Sequence, residues 1–163
     1  MRDFLRRQIE SACREELGAT SIHRLCPRCA GADHGRPSVR VEVGPAPYVS
    51  WSYAADLAVL AWTWAGPIGV DVERVGDPAE DRSGWTRAEA LLKATGEGVT
   101  SPPAQDGTPR IPAHWTVPLD DVPEGYVAHA VVLGVPQGPP PERPTLNWVL
   151  VPQSRGTQAT PPA

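Results

Sequence analysis

Residues 48–73 read YVSWSYAADLAVLAWTWAGPIGVDVE, and this stretch predicts three short strands in succession. The first two cover residues 48–52 and 57–64, where β-branched and aromatic side chains are frequent. A Gly-Pro turn signal follows, and apolar side chains then alternate with other residues over 68–72. Short strands joined by tight connections are typical of an antiparallel meander.

On the N-terminal side of this stretch, the pattern predicts one helix and one strand. Apolar residues recur at helical spacing over 3–17, and the glycine that follows is a typical helix end. Residues 38–43 alternate as a strand does, which puts Val39, Val41 and Val43 on one face. The helix therefore has an apolar face that can pack against the strands.

On the C-terminal side, the pattern predicts a second helix over 85–95 that ends at Gly96. Residues 97–113 are rich in Pro and Gly and predict a mobile loop. Two further strands are predicted over 114–119 and 126–133. We expect an α+β fold, in which a meander of short antiparallel strands packs against helices.

Composition limits the size and the class of the protein. With 163 residues the chain is long enough for one domain, which we expect to occupy residues 1–133. Eight of the prolines lie within 134–163, so we expect a Pro-rich, largely disordered tail there.

Charge and hydropathy exclude two kinds of partner. The formal charge is −4, whereas a general nucleic-acid binder normally carries a basic excess, so we expect no nucleic acid partner. No apolar run approaches the roughly 18 residues that would cross a bilayer, so we expect no membrane partner. The charged N-terminus does not resemble a signal peptide, and a cytoplasmic location is expected.

Two acidic side chains share one face of the third predicted strand. Because the apolar residues over 68–72 are expected to be buried on one face, Asp71 and Glu73 must project together from the other. Neighbouring carboxylates repel each other unless a cation or a basic group lies between them. Carboxylate and phosphate oxygens are the ligands that magnesium prefers. The alternative is an exposed strand face with two ordinary acidic residues.

Glu89 and Lys93 lie four residues apart in the second predicted helix and share a face. In one interpretation they form an ordinary surface pair, and Thr86 with Glu89 forms a capping box. Lys93 is, however, the only lysine in a chain with fourteen arginines. Lysine differs from arginine as a compact charge whose pKa can be shifted, which favours a functional role for Lys93.

A cysteine motif, CPRC, contains Cys26 and Cys29 and is followed by His34. A zinc site usually needs four ligands, and no second CxxC or HxxxH pair follows, so both a zinc site and a plain thiol-bearing turn remain open. The HGRP sequence of residues 34–37 combines a glycine that permits close backbone approach, an arginine that can bind phosphate and a rigid proline.

Four motifs follow one another in the chain: LCPRCAGADHGRP at 25–37, PYVSWSYAADLAVLAW at 47–62, GPIGVDVE at 66–73 and WTRAEALLKATGEG at 85–98. Together they resemble the 4′-phosphopantetheinyl transferases of the surfactin-synthetase type. That family has an HGKP-like turn, an SHS-like strand end, a GxDxE strand and a WxxKEAxxKxxGxG helix in this order. The resemblance covers most of the predicted domain.

The resemblance implies an activity and a set of site residues. Members transfer 4′-phosphopantetheine from coenzyme A to a serine of an acyl or peptidyl carrier protein, with Mg²⁺, in polyketide, nonribosomal peptide or fatty acid biosynthesis. By this resemblance Asp71, Glu73 and Glu89 would hold magnesium, and Glu89 would also act as a base. Lys93 would contact the coenzyme A phosphates and help to activate the nucleophile.

The same resemblance assigns four residues to coenzyme A. Arg36 and Pro37 match the turn that flanks the adenine and its ribose phosphate. Ser52 and Tyr53 match the strand end that contacts the 3′-phosphate. Tyr53 stands where many members have histidine, so a hydrogen-bonding hydroxyl replaces a group that can carry positive charge.

The chain is also shorter than the family pattern. An N-terminal stretch and most of the segment between Glu73 and Glu89, which helps to receive the carrier, are expected to be missing. The alternative function is therefore a shortened, inactive relative that binds coenzyme A or a carrier protein without transfer. Residues 1–40 carry eight arginines against five acidic residues, and carrier proteins of this kind are typically acidic. We therefore expect carrier docking or phosphate binding to use this part of the chain. The protein is expected to be a monomer or a homodimer.

Overall fold

The structure is a computed structural model that describes residues 2–26, 29–32, 35–76, 81–96, 112–135 and 145–152. Within those residues the chain forms two helices and eight strands. In chain order these are α1 (Arg2–Leu17), β1 (Ala19–Leu25), β2 (Arg36–Val41), β3 (Tyr48–Ala54), β4 (Leu57–Thr63), β5 (Ile68–Arg74), α2 (Arg82–Thr95), β6 (His114–Pro118), β7 (Tyr126–Leu133) and β8 (Asn147–Pro152). Every strand pair is antiparallel, which confirms the α+β class.

The strands form three sheets rather than one meander. Strands β1 and β2 pair as a hairpin, β3-β4-β8 form a second sheet, and β5-β7-β6 form a third. The two three-stranded sheets pack on each other through one apolar core. Its buried members come from both sheets: Ala54, Leu57, Val59 and Ala61 from one, and Ile68, Val70, Val72, Ala128, Ala130 and Val132 from the other.

Helix α1 covers the other face of the β3-β4-β8 sheet. Its buried side chains Leu5, Ile9 and Cys13 are the predicted apolar stripe, and they pack against Leu60 and Trp62 of β4. Because α1 lies on one side of β4 and the β5-β7-β6 sheet on the other, every residue of β4 is buried. The period-two pattern of this strand is therefore masked, as in other strands that are covered on both faces.

Helix α2 covers the outer face of the β5-β7-β6 sheet and comes closest at Gly69. A Cβ atom on Gly69 would overlap the carbonyl oxygen of Ala90 and lie 2.5 Å from the backbone nitrogen of Ala94. Only glycine permits this approach between strand and helix. The helix ends at Gly96, which has φ 78 and is its left-handed C-cap, as predicted.

Two strands were not expected from the sequence, and they change the domain boundary. Strand β1 lies in a segment with few strand-forming residues, and β8 lies in the region predicted to be a disordered tail. Because β8 pairs with β4 along its whole length, the fold extends to Pro152 and a boundary at residue 133 is wrong. The rest of that tail, residues 136–144 and 153–163, lies outside the described residues.

Smaller differences concern the connections. Strand β2 begins at Arg36 and ends at Val41, and Val43 is 86% exposed, so the prediction that the strand runs over residues 38–43 and includes Val43 is wrong. The predicted loop at 97–113 lies outside the described residues except for its last two. Neither described helix has the length and apolar character needed to span a bilayer.

Candidate functional site

One cavity of about 420 Å³ lies where β2, β3, β5 and α2 meet. Strand β3 is an edge strand of its sheet and contacts both β2 and β5. The residues that line the cavity are Arg24, Gly35, Arg36, Pro37, Ser50, Trp51, Ser52, Tyr53, Ile68, Asp71, Leu92, Lys93 and Gly96. This volume lies within the range of small-molecule and cofactor sites.

Most of the site residues that the sequence analysis predicted line this cavity. Six of them line it together, although they come from four different elements: Arg36, Pro37, Ser52, Tyr53, Asp71 and Lys93. Two others, Glu73 and Glu89, do not line it. Among the charged lining residues three are basic and one is acidic, so the cavity favours an anionic ligand.

Asp71 and Lys93 form the centre of a buried polar network. The Lys93 ammonium donates to Asp71 Oδ1 at 2.7 Å, to Ser52 Oγ at 3.0 Å and to the carbonyl oxygen of Val70 at 3.1 Å. The Ser52 hydroxyl in turn donates to Asp71 Oδ1 at 2.8 Å. Asp71 is only 4% exposed, so the interpretation of Asp71 as an ordinary exposed acid is wrong.

Two sequence-based interpretations of α2 are also wrong: that Glu89 and Lys93 form an ordinary surface pair, and that Thr86 and Glu89 form a capping box. Lys93 bonds to β3 and β5, so it is not simply the surface partner of Glu89. The helix begins at Arg82, and Asp81 is its N-cap, with Oδ1 accepting from the Gly84 N–H at 2.7 Å. Thr86 therefore lies inside the helix and does not form a capping box.

Arg36 reaches the cavity with two donors that no described residue binds. Its Nε and Nη2 atoms are buried and make no hydrogen bond to any residue that the structure describes. Burial lowers the pKa of the Arg36 guanidinium from its ordinary value. A buried guanidinium with unused donors is costly unless an anion binds it, so Arg36 is suited to hold a phosphate or a carboxylate.

Arg24 is a cavity residue that sequence reasoning missed. Its guanidinium carbon lies 4.8 Å from the centre of the Trp51 ring, a cation–π contact that holds the side chain at the cavity wall. Arg24 is opposite Pro37 in the β1–β2 hairpin, which brings it to the same end of the cavity as Arg36. Knowledge of the β1–β2 pairing would have located Arg24 in the site. The sequence did not reveal this pairing, because β1 shows only a weak strand pattern.

The two remaining predicted acids lie beside the cavity, between β5 and α2. Burial raises the pKa of Glu89, and the negative charges of Asp71 and Glu73 raise it further, while Lys93 lowers it. The three carboxyl groups therefore lie within electrostatic range of each other. Glu73 is 3.9 Å from the guanidinium of Arg82 at the start of α2.

The three acids have the carboxylate oxygens that magnesium prefers. Asp71 Oδ2 is buried and accepts no hydrogen bond from the described residues, so it fits one ligand position. Within the described residues, however, no group of three or more His, Cys, Asp or Glu side chains is already assembled around a metal position. Magnesium is commonly held by only one or two carboxylates together with substrate phosphates, and this mode fits Asp71 and its neighbour Glu89.

His129 is a second residue that the sequence analysis did not single out. It is the cross-strand partner of Asp71 on β7, and its Nδ1 lies 2.7 Å from the hydroxyl oxygen of Thr86. Burial lowers the pKa of His129, the charge of Arg87 lowers it further, and Asp71 raises it. Since the Thr86 hydroxyl also donates to the carbonyl of Ser83, it can accept from His129 Nδ1–H, and this pair holds the first turns of α2 on the sheet.

Comparison of the chain with known protein families, with curated proteins and with solved structures gives no match. The function is therefore inferred from the residues of the cavity and from the motifs that carry them.

Proposed function

We propose that this protein transfers 4′-phosphopantetheine from coenzyme A to a serine hydroxyl of an acyl or peptidyl carrier protein. The observation that carries the proposal is the cavity that joins Arg36, Ser52, Asp71 and Lys93 from four elements. These residues belong to the motifs that resemble the 4′-phosphopantetheinyl transferases. Their meeting in one cationic cavity is what a diphosphate-containing substrate requires.

The cavity offers a separate environment for each part of the nucleotide end of coenzyme A. Arg24 and Arg36 at one end present guanidinium groups, which suit the 3′-phosphate. Pro37 supplies a rigid apolar surface against which an adenine can lie. Lys93, which lines the cavity from α2, suits the diphosphate.

Asp71 and Glu89 would hold a magnesium ion together with the diphosphate, and Glu73, which lies beside Arg82, would have to rearrange to become the third ligand. When bound, the ion would neutralise charge on the diphosphate, and the leaving group would be adenosine 3′,5′-bisphosphate. Asp71 Oδ2 supports this role because it is buried without a hydrogen bond.

The chain's own residues would contribute proton transfer and charge stabilisation. Glu89, whose pKa is raised by burial and by Asp71 and Glu73, is suited to accept the proton of the carrier serine hydroxyl. The serine oxygen then bonds to the β-phosphorus while the bond to the bridging oxygen breaks. Lys93 is held in place by three hydrogen bonds, so its charge is preorganised for the diphosphate oxygens.

A second candidate function is binding of coenzyme A or of a carrier protein without transfer. The observation that favours it is the pairing of the acids, because Asp71 bonds to Lys93 and Glu73 lies beside Arg82. Both carboxylates would have to rearrange in part to hold a metal ion. The two candidates share the ligand and differ in whether the serine is modified.

One experiment separates the two candidates. The protein is incubated with coenzyme A, Mg²⁺ and an apo carrier protein, and the carrier mass is read by intact-mass spectrometry. Binding of adenosine 3′,5′-bisphosphate is measured in parallel by calorimetry. Transfer supports the first candidate, binding without transfer supports the second, and the absence of both contradicts both.

Asp71→Asn is the sharpest variant for this assay, because it keeps the shape of the side chain and removes its charge. We expect it to abolish transfer, as removal of Mg²⁺ by a chelator should. Asp120→Asn is the matched control, because Asp120 is an exposed turn residue away from the cavity. Equal transfer by the two variants would remove Asp71 from the mechanism.

A further inference from the structure

Helix α2 carries Glu89 and Lys93, and its buried residues form a single row against the β5-β7-β6 sheet. The row consists of Thr86, Ala90 and Ala94, which recur every four positions and therefore share one face of the helix. Two members of the row are alanines, whereas Thr86 has a hydroxyl group and is fully buried. A polar group in such a position needs a hydrogen-bond partner.

The two halves of this row meet the sheet in different ways. In the C-terminal half, Ala90 and Ala94 pack with Val131 of β7 in a small apolar cluster. In the N-terminal half, residues 82–89 are all described, and Thr86 is the only one of them that is buried. The buried contact of this half of the helix with the sheet is therefore made by Thr86.

The partner of Thr86 in the sheet is His129 of β7, which is also buried. Thr86 Oγ1 lies 2.7 Å from His129 Nδ1, and it donates to the carbonyl oxygen of Ser83 at 3.1 Å. Because a hydroxyl has one proton to donate, Thr86 accepts from the Nδ1–H of His129. His129 is the cross-strand partner of Asp71, so this contact lies next to the cavity residue Asp71 in the sheet.

Helix α2 therefore contacts the Asp71–His129 strand pair at two places. Lys93 Nζ donates to Asp71 Oδ1 at 2.7 Å, and Thr86 accepts from His129. Thr86 and Lys93 are separated by about two helical turns. Glu89 lies between them in the chain and within electrostatic range of Asp71. The segment of α2 that carries Glu89 is thus held to the sheet on both sides.

We propose that His129 is a positioning residue, which holds Glu89 in place beside Asp71 through its hydrogen bond to Thr86. The inference rests on the proposed transferase function, in which Glu89 accepts the proton of the carrier serine. His129 is not among the described residues that line the cavity, so it acts through α2 rather than by touching the substrate. A small displacement of a reacting group is enough to lower a rate strongly.

The residues proposed to bind the nucleotide end of coenzyme A lie on other elements. Arg24, Arg36 and Pro37 belong to β1 and β2, which do not include the Thr86–His129 contact. Loss of that contact should therefore slow the chemical step and leave the affinity for coenzyme A nearly unchanged.

Paired substitutions test this expectation in the carrier-mass assay. Thr86→Val removes the hydroxyl and keeps the shape of the side chain, whereas Thr86→Ser keeps the hydroxyl. His129→Leu removes the donor, whereas His129→Asn keeps a nitrogen donor close to the position of Nδ1. We expect Thr86→Val and His129→Leu to lower kcat about 10–100-fold, with KM for coenzyme A changed by no more than about twofold.

Rescue and non-additivity distinguish positioning from a general loss of stability. Thr86→Ser and His129→Asn should recover most of kcat, and the double substitution Thr86→Val with His129→Leu should lower kcat no further than the more severe single one. Thr20→Val is the matched control, because it removes an exposed threonine hydroxyl on β1, and it should leave kcat unchanged.

Two further measurements do not depend on transfer. In the unmodified chain the Thr86 methyl protons should show a nuclear Overhauser contact with the His129 ring. Thr86→Val should speed amide hydrogen exchange over residues 85–89 more than over 91–95. Absence of transfer by the unmodified chain contradicts the proposed function, and these two measurements then decide whether His129 holds α2. The inference is overturned if the Overhauser contact is missing, if Thr86→Val leaves exchange unchanged, or if Thr86→Val keeps the kcat of the unmodified chain.

Discussion

The ammonium of Lys93 on α2 lies 2.7 Å from a carboxylate oxygen of Asp71 on β5, and this ion pair joins the helix to the sheet at the cavity wall. The Lys93 side chain is one-third exposed, at 33%, whereas that of Asp71 is 6% exposed. The pair is therefore more open on the lysine side, although Asp71 also lines the cavity. A phosphate that enters the cavity can reach the ammonium without separating it from Asp71.

Lys93→Ala should affect both stability and function. It leaves the buried Asp71 carboxylate with Ser52 as its remaining donor in the network, so we expect the free energy of unfolding to fall by about 1–3 kcal/mol. Loss of a preorganised charge should lower the transfer rate on the order of 10²–10³-fold. Denaturant unfolding and the carrier-mass assay measure the two effects.

Lys93→Arg and Arg87→Ala sharpen this test. Arginine keeps the charge but replaces a compact ammonium with a planar fork that cannot repeat the contacts to Ser52 and the Val70 carbonyl, so transfer should be clearly impaired. Arg87 is exposed on the same helix, and Arg87→Ala should change stability by no more than about 0.5 kcal/mol. A fully active Lys93→Ala protein would place Lys93 outside the site.

Arg36→Met should separate ligand binding from folding. Because two buried donors of Arg36 have no hydrogen bond, their removal should leave stability unchanged or slightly increased. Binding of adenosine 3′,5′-bisphosphate should weaken by about tenfold or more, since a charged hydrogen bond is worth about 1.5–3 kcal/mol. Arg40→Met, on the exposed face of the same strand, is the control. Equal affinities of the two variants would argue against a phosphate contact at Arg36.

Glu89→Gln tests the raised pKa of Glu89 through stability. Because the folded chain holds this proton more tightly than the unfolded chain does, wild-type stability should fall as pH rises from the ordinary value of 4.5 to the raised pKa. Glu89→Gln should lack this contribution and be at least as stable as the wild type near neutral pH. The same variant should lose transfer if Glu89 is the base. Thermal unfolding across pH provides the measurement, and a variant less stable at neutral pH would contradict the burial of this carboxyl.

Gly69→Ala should displace α2, because an added Cβ overlaps the backbone of Ala90. Overpacking of this kind costs about 1–3 kcal/mol or more, and the cavity wall formed by Leu92 and Lys93 should move with the helix. Gly76→Ala is the matched control, because no described residue has an atom within 4 Å of a Cβ there. Unfolding by denaturant compares the two variants. If they are equally stable, the close approach of strand and helix is incorrect.

The sequence predicted those elements whose side chains show a clear period or a clear end signal. Helix α1, strand β5 and helix α2 were found because their apolar spacing and terminal glycines are local features. Strand β8 was missed because it lies among prolines and is stabilised by β4, some ninety residues earlier in the chain. Pairing over such a distance leaves no local pattern, and it overrides the composition of the segment.

The sequence predicted the site residues that lie in recognisable motifs. It missed the residues whose position depends on the pairing of two strands. Arg36, Asp71 and Lys93 were found in this way, and they line one cavity. Arg24 and His129 were missed because strand pairing places them, Arg24 in the cavity wall opposite Pro37 and His129 beside the cavity residue Asp71. That Lys93 pairs with Asp71 rather than with Glu89 depends on the packing of α2 on β5, which helical spacing alone does not report.

The pairing of β4 with β8 has a consequence for synthesis on the ribosome. Strand β4 is wholly apolar except for its last residue, and one of its edges stays open until residues 147–152 have left the exit tunnel. An open, apolar edge is a template for pairing with other chains. The nascent chain therefore passes through an interval in which most of the catalytic candidates have emerged but the sheet that supports them can still aggregate. Chaperone dependence should be greatest in that interval, and a premature stop before residue 147 would make it permanent.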